Sequence, residues 1–596
     1  MADYDLLIRG GSVIDGTGAD ARIADIAVSN GVIVAVGTDL KGTADTVVNA
    51  SGLLVIPGIV DIHAHYDGQA TWDSRMHPSS WHGVTTAVMG NCGVGFAPVV
   101  ASNHDKLIEL MEGVEDIPGA ALHEGLQWNW STFGEFLDAV DERPHDIDIA
   151  AQVPHGALRL HVMGERGANH EDATADDIAA MAELAREGIE AGALGFTTSR
   201  TRNHKTSTGA YTPTLTAAPD ELIGIAEGVG AAGSGVLQVV SDFLDVDAEF
   251  ATLRLMMERS GRPLSISVVR NPMAPDDFRV WLDHISAARA DGLALTGQVA
   301  ARAVGLILGL ECTLNPFLTN PVYREIADLP LPDKIAQLLD PDFRARLLTE
   351  AGERSKAKLG ANLIGRFDVL FEMADEPDYE PSLEESIAAR AARAGVSSEE
   401  FALAAMLDNH GVGDGKGLIY LPFLNYVDGA LDGLHEMLSH PFTVPGLGDG
   451  GAHVGTICDG SFPTTLLAYW GRDRKRGTLP LPYLVQQHCR DTAQTVGLFD
   501  RGVLAPGYRA DINIVDYDNL RLHKPEIVAD LPAGGKRLLQ RAEGWAHTFV
   551  AGVETYRNGE ATGALPGRLV RGAQPAPARW VGGRPAVYGS PDGRTP

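Results

Sequence analysis

Eight short apolar segments, separated along the chain by longer amphipathic stretches, constrain the fold of this sequence most strongly. Such segments are typical of strands buried on both faces, and buried strands joined through helices form a parallel sheet. Eight of them predict a closed α/β fold, the (β/α)8 TIM barrel. The segments lie within residues 53–62, 84–89, 147–153, 193–197, 236–240, 264–269, 293–299 and 442–447.

One of the intervening stretches shows a clear helical pattern. Thr174 and Asp177 resemble a capping box, with Asp in place of the usual Glu. Ile178, Met181 and Ala185 then recur at the spacing of one helix face. A helix between two buried strands is what the barrel requires.

The two ends of the chain differ from its middle. Near the N-terminus, apolar residues alternate on both sides of Asn30-Gly31, which is a strong signal for a β-hairpin. Asn558-Gly559 supplies a similar turn near the other end. We therefore predict a small β-sandwich formed by residues 1–55 and 500–571, around a barrel at residues 56–499.

The seventh and eighth apolar segments are far apart. Residues 300–441 are mostly helical and charged in pattern, and they are too numerous for a simple connection. We expect a helical insertion before strand 8, on the catalytic face of the barrel. Residues 572–596 are rich in Pro, Gly and Ala, which predicts a flexible tail.

Composition excludes several classes of partner. The formal net charge is −31, which disfavours nucleic acid and anionic membrane surfaces. The N-terminus shows no signal-peptide pattern, and the four cysteines form no CxxC pair. We expect a cytoplasmic protein that acts on a small molecule, and the sequence leaves both a monomer and a homo-oligomer open.

Two histidines follow the first apolar segment. In the run Asp61-Ile62-His63-Ala64-His65, His63 and His65 stand two residues apart, so in a strand they share one face. At the C-terminal mouth of a barrel that face is the active site. Paired imidazoles suit zinc or a similar divalent ion, and the alternative interpretation is two polar histidines at a strand end.

Two further candidates follow the second and eighth segments. Cys92, in Gly90-Asn91-Cys92-Gly93, is either a metal ligand or a small buried apolar residue. Asp449, in Gly448-Asp449-Gly450-Gly451, is either a ligand and proton acceptor or an ordinary turn residue. His453 lies four residues further on, where it contacts substrate or caps the loop.

Other polar residues follow strands 3, 4 and 6 at the same mouth. We regard His155 and Arg270 as candidate electrophiles for a substrate carbonyl, and Arg270, Arg200 and His204 as candidate substrate contacts. For each of them a solvated or salt-bridged loop position is an equally good interpretation.

Together these segments resemble the amidohydrolase superfamily, and more narrowly its N-acyl-D-amino-acid deacylase (D-aminoacylase) branch. The most specific similarity is Gly83-Val84-Thr85-Thr86 followed by Gly90-Asn91-Cys92-Gly93. Residues 5–11, 56–61, 510–516 and 559–563 resemble the opening and closing segments of the family. The resemblance implies a TIM barrel with a small β-sandwich from both chain ends, and hydrolysis of amide bonds by metal-activated water.

The resemblance also implies a ligand set and shows where this chain departs from it. His63, His65, Cys92 and Asp449 match residues that surround one metal position. The family's histidines on strands 5 and 6 are absent, and the resemblance aligns Val240 and Val268 with them. We therefore expect one zinc ion per chain.

A second departure concerns substrate. The family arginine that holds the substrate carboxylate has no counterpart in residues 461–465. Arg270 matches a lysine that contacts substrate in the family, and this leaves it as the expected anion or carbonyl contact.

The resulting hypothesis is a metal-dependent hydrolase of a C–N bond in a small molecule, an N-acyl amino acid-like amide or a cyclic amide. Asp449 would serve as general base and then general acid, standing back from the ion to leave room for water. Two alternatives remain open at this point. One is a non-catalytic binding or scaffold protein derived from the fold, and the other is a different metal-assisted hydrolysis, of a lactone or by deamination.

Overall fold

The computed structural model describes residues 2–350, 363–409 and 411–578. Its strands, in chain order, are β1 Tyr4–Val13, β2 Arg22–Ser29, β3 Val32–Gly37, β4 Ala44–Asn49, β5 Leu54–Pro57, β6 Ile59–Asp61, β7 Val84–Met89, β8 Asp148–Pro154, β9 Gly195–Arg200, β10 Val236–Ser241, β11 Leu264–Val268, β12 Leu295–Val299, β13 Val304–Leu308, β14 Phe371–Glu372, β15 Ile419–Leu424, β16 Thr443–Pro445, β17 Ile512–Val515, β18 Arg521–Leu522, β19 Glu526–Ala529, β20 Lys536–Leu539, β21 Ala542–Glu543, β22 Trp545–Val550, β23 Val553–Arg557 and β24 Glu560–Ala561.

The α-helices follow the same order. They are α1 Gln69–Trp72, α2 His104–Glu115, α3 Gly119–Gly125, α4 Phe133–Asp141, α5 His155–Met163, α6 Glu165–Ala168, α7 Ala175–Ala191, α8 Pro219–Ala231, α9 Val246–Ser260, α10 Asp277–Ala290, α11 Pro321–Arg324, α12 Leu331–Leu339, α13 Pro341–Thr349, α14 Ile387–Ala394, α15 Ser398–Asp408, α16 Asp432–Leu438, α17 Phe462–Thr464, α18 Leu481–Val485 and α19 Thr492–Thr495. Helix α7 begins at the predicted capping box, in which Thr174 and Asp177 bond each other's backbone.

The predicted barrel is confirmed. Eight strands form one parallel sheet in the order β16-β12-β11-β10-β9-β8-β7-β6. The circle closes just beyond the ends of β6 and β16, where Ala64 and Gly450 form a parallel bridge. Two backbone hydrogen bonds hold this closure: Asp449 N–H donates to His63 O at 2.9 Å, and His65 N–H donates to Gly450 O at 2.8 Å.

The sheet predicted from both chain ends is also confirmed. Its strands run in the order β24-β23-β22-β17-β5-β1-β2-β3, with β4 beside β1. Strand β5 joins the two ends, because it lies parallel to β1 and antiparallel to β17. Ile26, Val55, Ile512 and Phe549 pack in one core, each at most 1% exposed, so both ends bury a common apolar surface.

The first apolar segment of the sequence is two strands rather than one. Pro57 ends β5 and Ile59 begins β6, so only Gly58 separates the terminal sheet from the barrel. The Gly58 N–H donates to Asp511 O, and a Cβ at this position would lie 2.1 Å from Thr85 Oγ1. Only glycine allows the three segments to pass this closely.

The insertion before the last barrel strand is present, but it is not purely helical. It contains α11 to α15 and a three-stranded antiparallel sheet in the order β13-β15-β14, which the sequence analysis did not predict. The insertion has its own core, which includes Leu306, Leu403, Met406 and Leu421. Its two longer strands, β13 and β15, pair although they are distant in sequence.

Part of the predicted tail lies against the barrel. Gln574 N–H donates to Gly497 O at 2.9 Å, and Phe499 N–H donates to Gln574 O at 2.9 Å. Residues 579–596, the rest of the predicted tail, lie outside the described residues. Within the described ranges no helix combines the length and the apolar character needed to cross a membrane.

A buried ion cluster fastens the terminal sheet to the barrel. Arg501, 1% exposed, donates to Asp148 Oδ2 at 2.8 Å, and Asp148 begins barrel strand β8. Arg509 reaches Asp148 Oδ1 at 2.8 Å and Asp511 Oδ1 at 3.2 Å, just before β17. Removing one member of such a cluster leaves buried charge without compensation.

We therefore expect Arg501→Met to lower the free energy of unfolding by about 3–5 kcal/mol, since Asp148 loses a buried partner. Urea denaturation measures this change. Arg521→Met is the matched control, because Arg521 and Glu543 form an exposed pair whose loss should cost less than about 1 kcal/mol. Equal effects of the two substitutions would contradict the anchoring role of the cluster.

Candidate metal centre

The two histidines predicted to share a face converge on one carboxylate. His63 and His65 follow β6 at the C-terminal mouth of the barrel, and both are 1% exposed. His63 Nε2 lies 3.3 Å from Asp449 Oδ1, and His65 Nε2 lies 3.7 Å from the same oxygen. Strands β6 and β16 therefore contribute to one site.

Cys92 completes a compact donor set. It follows β7, is 7% exposed, and its Sγ lies 3.2 Å from His63 Nε2. Each of His63, His65 and Cys92 offers one possible ligand atom, and these three atoms all lie within 4.8 Å of one another. The three side chains are thus close enough to hold one ion, with Asp449 at its edge.

The backbone of the site is strained. Cys92, Asp449 and His453 have φ values of 55°, 46° and 49°, in the left-handed region that non-glycine residues rarely occupy. Such conformations cost about 1–3 kcal/mol each and persist only where surrounding structure enforces them. The left-handed conformation is thus enforced at three residues whose side chains lie at the mouth of the barrel.

Gln298 orients the first histidine. Its Oε1 lies 3.0 Å from His63 Nδ1, and its Nε2 donates to Ser265 Oγ at 2.9 Å. Because an amide oxygen only accepts, the proton of His63 is on Nδ1, and Nε2 offers a lone pair to the site. A second group that fixes the tautomer in this way is typical of histidines that bind metal.

Glu115 stands in the corresponding position beside the second histidine. Glu115 Oε1 lies 3.3 Å from His65 Nδ1, on the side of the ring opposite Asp449. Its other oxygen lies 3.5 Å from His453 Nε2. The sequence analysis missed Glu115, since a glutamate at the end of helix α2 carries no signal that distinguishes it from an exposed one.

The electrostatics of the group follow from burial and mutual charge. Burial lowers the pKa of His63 to about 4, against the opposing charge of Asp449. Burial also disfavours charge on His65, but Glu115 and Asp449 hold its pKa well above the usual value. Burial raises the pKa of the Cys92 thiol to about 12. Burial would raise the pKa of Asp449, but His65 and His63 hold it well below its usual range.

This donor set fits a divalent cation, and zinc in particular. Two imidazole nitrogens, one sulfur and one carboxylate oxygen are the ligand types that zinc prefers. Neither ring nitrogen of His65 makes a regular hydrogen bond to any residue in the described ranges. A cation beside Nε2 would satisfy a buried polar atom that is otherwise left without a partner.

The two predicted electrophiles differ in their contacts. His155 is fully buried, with Nε2 2.9 Å from Glu221 Oε1 and Nδ1 2.8 Å from Thr198 Oγ1, so both of its ring nitrogens are occupied by protein groups. Arg270 donates from Nε to Pro275 O at 2.8 Å. That bond uses one of its three nitrogens, so a contact of Arg270 with substrate stays a prediction.

The two candidates after strand β9 differ from each other. Arg200 pairs with Glu249 at 2.6 Å, so its guanidinium is committed to a neighbouring helix. His204 bonds Ser199 Oγ through Nδ1 at 2.8 Å. Burial, and then the charges on His453 and His65, lower the pKa of His204 to about 3. Of the two, only His204 is within electrostatic reach of the metal-site residues.

The residues of strand β11 alternate between the interior of the barrel and its outside. Val268 pairs with Val299, one residue beyond Gln298, whose side chain reaches His63 inside the barrel. Strand alternation therefore turns Val268 outward and places Ser267, the strand partner of Gln298, on the inward face. Neither valine nor serine is a usual zinc ligand.

We expect Gln298→Leu to weaken zinc binding by about 10- to 100-fold, because His63 loses the group that fixes its tautomer. Competition with a chromogenic chelator measures the dissociation constant. Gln238→Leu is the matched control: this amide is also buried inside the barrel, and in the described residues it has no hydrogen-bond partner. Unchanged affinity in the Gln298 variant would exclude this role.

Comparison with known proteins places these features in a known group. The chain is 29% identical over 577 residues to the D-aminoacylase of Alcaligenes xylosoxydans xylosoxydans, covering 95% of this chain and 97% of that one. A solved structure concerns the binuclear metal centre of a D-aminoacylase, with one-metal activation and second-metal attenuation. It superimposes with a TM-score of 0.64 at 22% identity, and the match covers 95% of this chain and all of that one.

A second solved structure is the N-acyl-D-glutamate deacylase of Bordetella bronchiseptica with zinc and a phosphonate inhibitor. It has a TM-score of 0.61 at 23% identity, over 95% of this chain and 99% of that one. At these identities the two structures show a shared fold. The sequence profile of the Amidohydrolase family matches residues 46–562, so the chain belongs to this family of hydrolases.

Proposed function

We propose that this metal-dependent amidohydrolase cleaves an amide bond of a small molecule, either an N-acyl amino acid or a cyclic amide, with a single zinc ion. The observation that carries the proposal is the convergence of His63, His65 and Cys92 with Asp449 at the mouth of the barrel. The relatives named above are deacylases of N-acyl-D-amino acids or D-aminoacylases, which favours an acylated amino acid.

The possible ligands inside the barrel favour a single ion. The donors found here surround one position, and the inward residues of the neighbouring strands include Ser267 and Gln238, neither of which is a usual zinc ligand. One-metal activation is stated for the similar D-aminoacylase, so a second ion is not needed for chemistry in this fold.

The bound cation would supply the Lewis acidity that activates water and polarises the scissile carbonyl. Asp449 is ionised at neutral pH, because its pKa lies well below the usual range, and it is half-buried at the edge of the donor group. It accepts a proton from the attacking water and passes it to the leaving nitrogen. Its Oδ1 lies 3.3 Å from His63 Nε2 and 3.7 Å from His65 Nε2, directly beside the other donors.

His204 is our candidate for the group that stabilises the developing oxyanion. Its low pKa keeps the imidazole neutral, and the Ser199 hydroxyl bonds its Nδ1. If that hydroxyl donates, the proton of His204 lies on Nε2, where it is available to a substrate oxygen. This assignment replaces the role first considered for His155.

The location proposed for the protein rests on its cysteines. All four are free, and Cys92 is needed as a reduced thiol. We therefore propose a reducing, cytoplasmic compartment.

The carboxylate is tested by Asp449→Asn. We expect a zinc-loaded wild-type protein to hydrolyse at least one amide in a panel of N-acyl-D- and L-amino acids, hydantoins, imides and lactones. The variant should lose about 10²–10⁴ in kcat, since a general acid–base group is removed. Asp428→Asn is the control, because Asp428 has a similar left-handed backbone but is exposed.

Elemental analysis of the same samples counts the ions. Two zinc ions per chain in the active protein would contradict the single-ion proposal. Undiminished turnover of the Asp449 variant would remove the proton-transfer role. Activity confined to lactones would redirect the proposal to another hydrolysis.

The oxyanion role is tested by His204→Ala. We expect kcat to fall by about 10²–10³ with little change in KM, because a hydrogen bond made mainly in the transition state is lost. Lys205→Ala perturbs the same loop but removes a side chain that packs over Tyr211, so it should leave kcat unchanged. A change in KM alone for the histidine variant would assign His204 to substrate binding.

A further inference from the structure

We propose that Glu115 is a positioning residue of the active site: it holds the metal-binding histidine His65 and the loop histidine His453 on the two oxygens of one buried carboxylate. Glu115 Oε1 lies 3.3 Å from His65 Nδ1, and Oε2 lies 3.5 Å from His453 Nε2. The inference rests on the metal site of the proposed function and adds a residue that neither the motifs nor the comparisons indicate.

The burial of Glu115 requires an explanation. The side chain is 1% exposed, and neither oxygen makes a regular hydrogen bond to any residue in the described part of the chain. A buried carboxylate without hydrogen bonds costs several kcal/mol unless opposite charge lies close by. Among the described residues, His65 and His453 are the basic groups at ion-pair distance from it.

The position in the helix adds a second cost. Glu115 is the last residue of α2, and Asp116 leaves the helix in the left-handed conformation. A negative charge at the C-terminal end of a helix is opposed by the helix dipole. Nothing in the local structure therefore favours a glutamate here, and its benefit must come from the histidines that it faces.

Helix α2 is itself fixed relative to the site. Ser207 N–H, in the loop that carries His204, donates to Glu109 O at 2.9 Å. A Cβ at Gly113 would lie 2.1 Å from the backbone carbon of Thr206, so the helix and the loop are in direct backbone contact. The helix that ends in Glu115 thus has a defined position over the mouth of the barrel.

The geometry at His65 explains what the carboxylate does there. Its contact is with Nδ1, whereas Nε2 faces Asp449. A carboxylate at Nδ1 keeps the proton on that nitrogen, leaves the lone pair on Nε2, and makes the ring a stronger donor to a cation. Gln298 does the same for His63 without charge.

The second carboxylate oxygen of Glu115 positions the other histidine, His453. His453 Nε2 lies 3.5 Å from Glu115 and 4.0 Å from Asp449 Oδ2, and its backbone is left-handed at φ 49°. Glu115 and Asp449 therefore hold the imidazole between them. With His65 on the other side of Asp449, one carboxylate sets the orientation of two rings that flank the proposed proton acceptor.

The experiment compares Glu115→Ala and Glu115→Gln with Glu112→Gln in the full-length protein. Glu112 lies on the same helix, one turn earlier, and contacts the Gly119 N–H rather than a histidine. Zinc is removed by dialysis against a chelator, and its dissociation constant is then measured by competition. We expect a 10- to 100-fold weaker constant for Glu115→Ala, a smaller loss for Glu115→Gln, and no change for Glu112→Gln.

A second readout is the visible spectrum of the cobalt-substituted protein. Altered donation by His65 should shift the cobalt ligand-field bands in the Glu115 variants and leave them unchanged in the Glu112 variant. A merely structural role would lower thermal stability without moving these bands. If Glu115→Ala does not fold, Glu115→Gln decides the question by the same two measurements.

Wild-type zinc affinity together with an unshifted cobalt spectrum in a folded Glu115 variant would overturn the inference. Zinc affinity does not depend on turnover, so the two proposals fail separately. A protein that hydrolyses no amide but loses zinc affinity in the Glu115 variants would refute the proposed function and retain the role of Glu115.

Discussion

The two hydrogen bonds that close the barrel are the interaction on which the site depends. They join His63 and His65, at the end of the first barrel strand, to Asp449 and Gly450, just after the last strand. Three of the four residues that these bonds join, His63, His65 and Asp449, also contribute side chains to the centre. Barrel closure and the juxtaposition of imidazole and carboxylate are thus one structural event, and a shift in strand register would disturb both.

The strain at the mouth of the barrel fits this arrangement. Three of its residues are held in left-handed backbone conformations that together cost several kcal/mol. Cys92 follows strand β7 closely, and the backbone of Asp449 is fixed by the hydrogen bond that it donates to His63 O. Preorganisation of this kind is what a site needs if ligand binding is not to be opposed by the entropy of ordering its donors.

The periodicity of the sequence was sufficient to predict the barrel, because eight apolar runs have few other solutions. The period of two residues along a strand was sufficient to place His63 and His65 on one face. The same period places Ser267 on the inward face beside Gln298 and turns Val268 outward. Strand parity is thus most informative where a recognisable motif or a strand partner anchors the register.

Other features had no signal in the sequence. Because His155 follows a strand, the sequence predicted that its side chain reaches the mouth of the barrel. It did not predict that the His155 ring would instead bond Glu221. Glu115 comes from a helix end, where a carboxylate is ordinarily solvated, and only the fold brings it to His65. Strands β13 and β15 pair although a long stretch of chain separates them, and local sequence patterns do not predict such pairing. Long-range contacts of polar groups are what the sequence leaves undetermined.

The strand shared between the two chain ends has a consequence for biosynthesis. Strand β5 leads into barrel strand β6 through a single glycine, but its antiparallel neighbour β17 lies near the other end of the chain. During translation, the edge of β5 that pairs with β17 therefore stays without its partner until residues 512–515 have been synthesised. The two histidines that follow β6 emerge early, whereas the carboxylate they face and the strand that completes the terminal sheet come late. The centre and the terminal sheet accordingly assemble only after most of the chain has been synthesised, and an open strand edge of this kind is exposed to wrong pairing in the meantime.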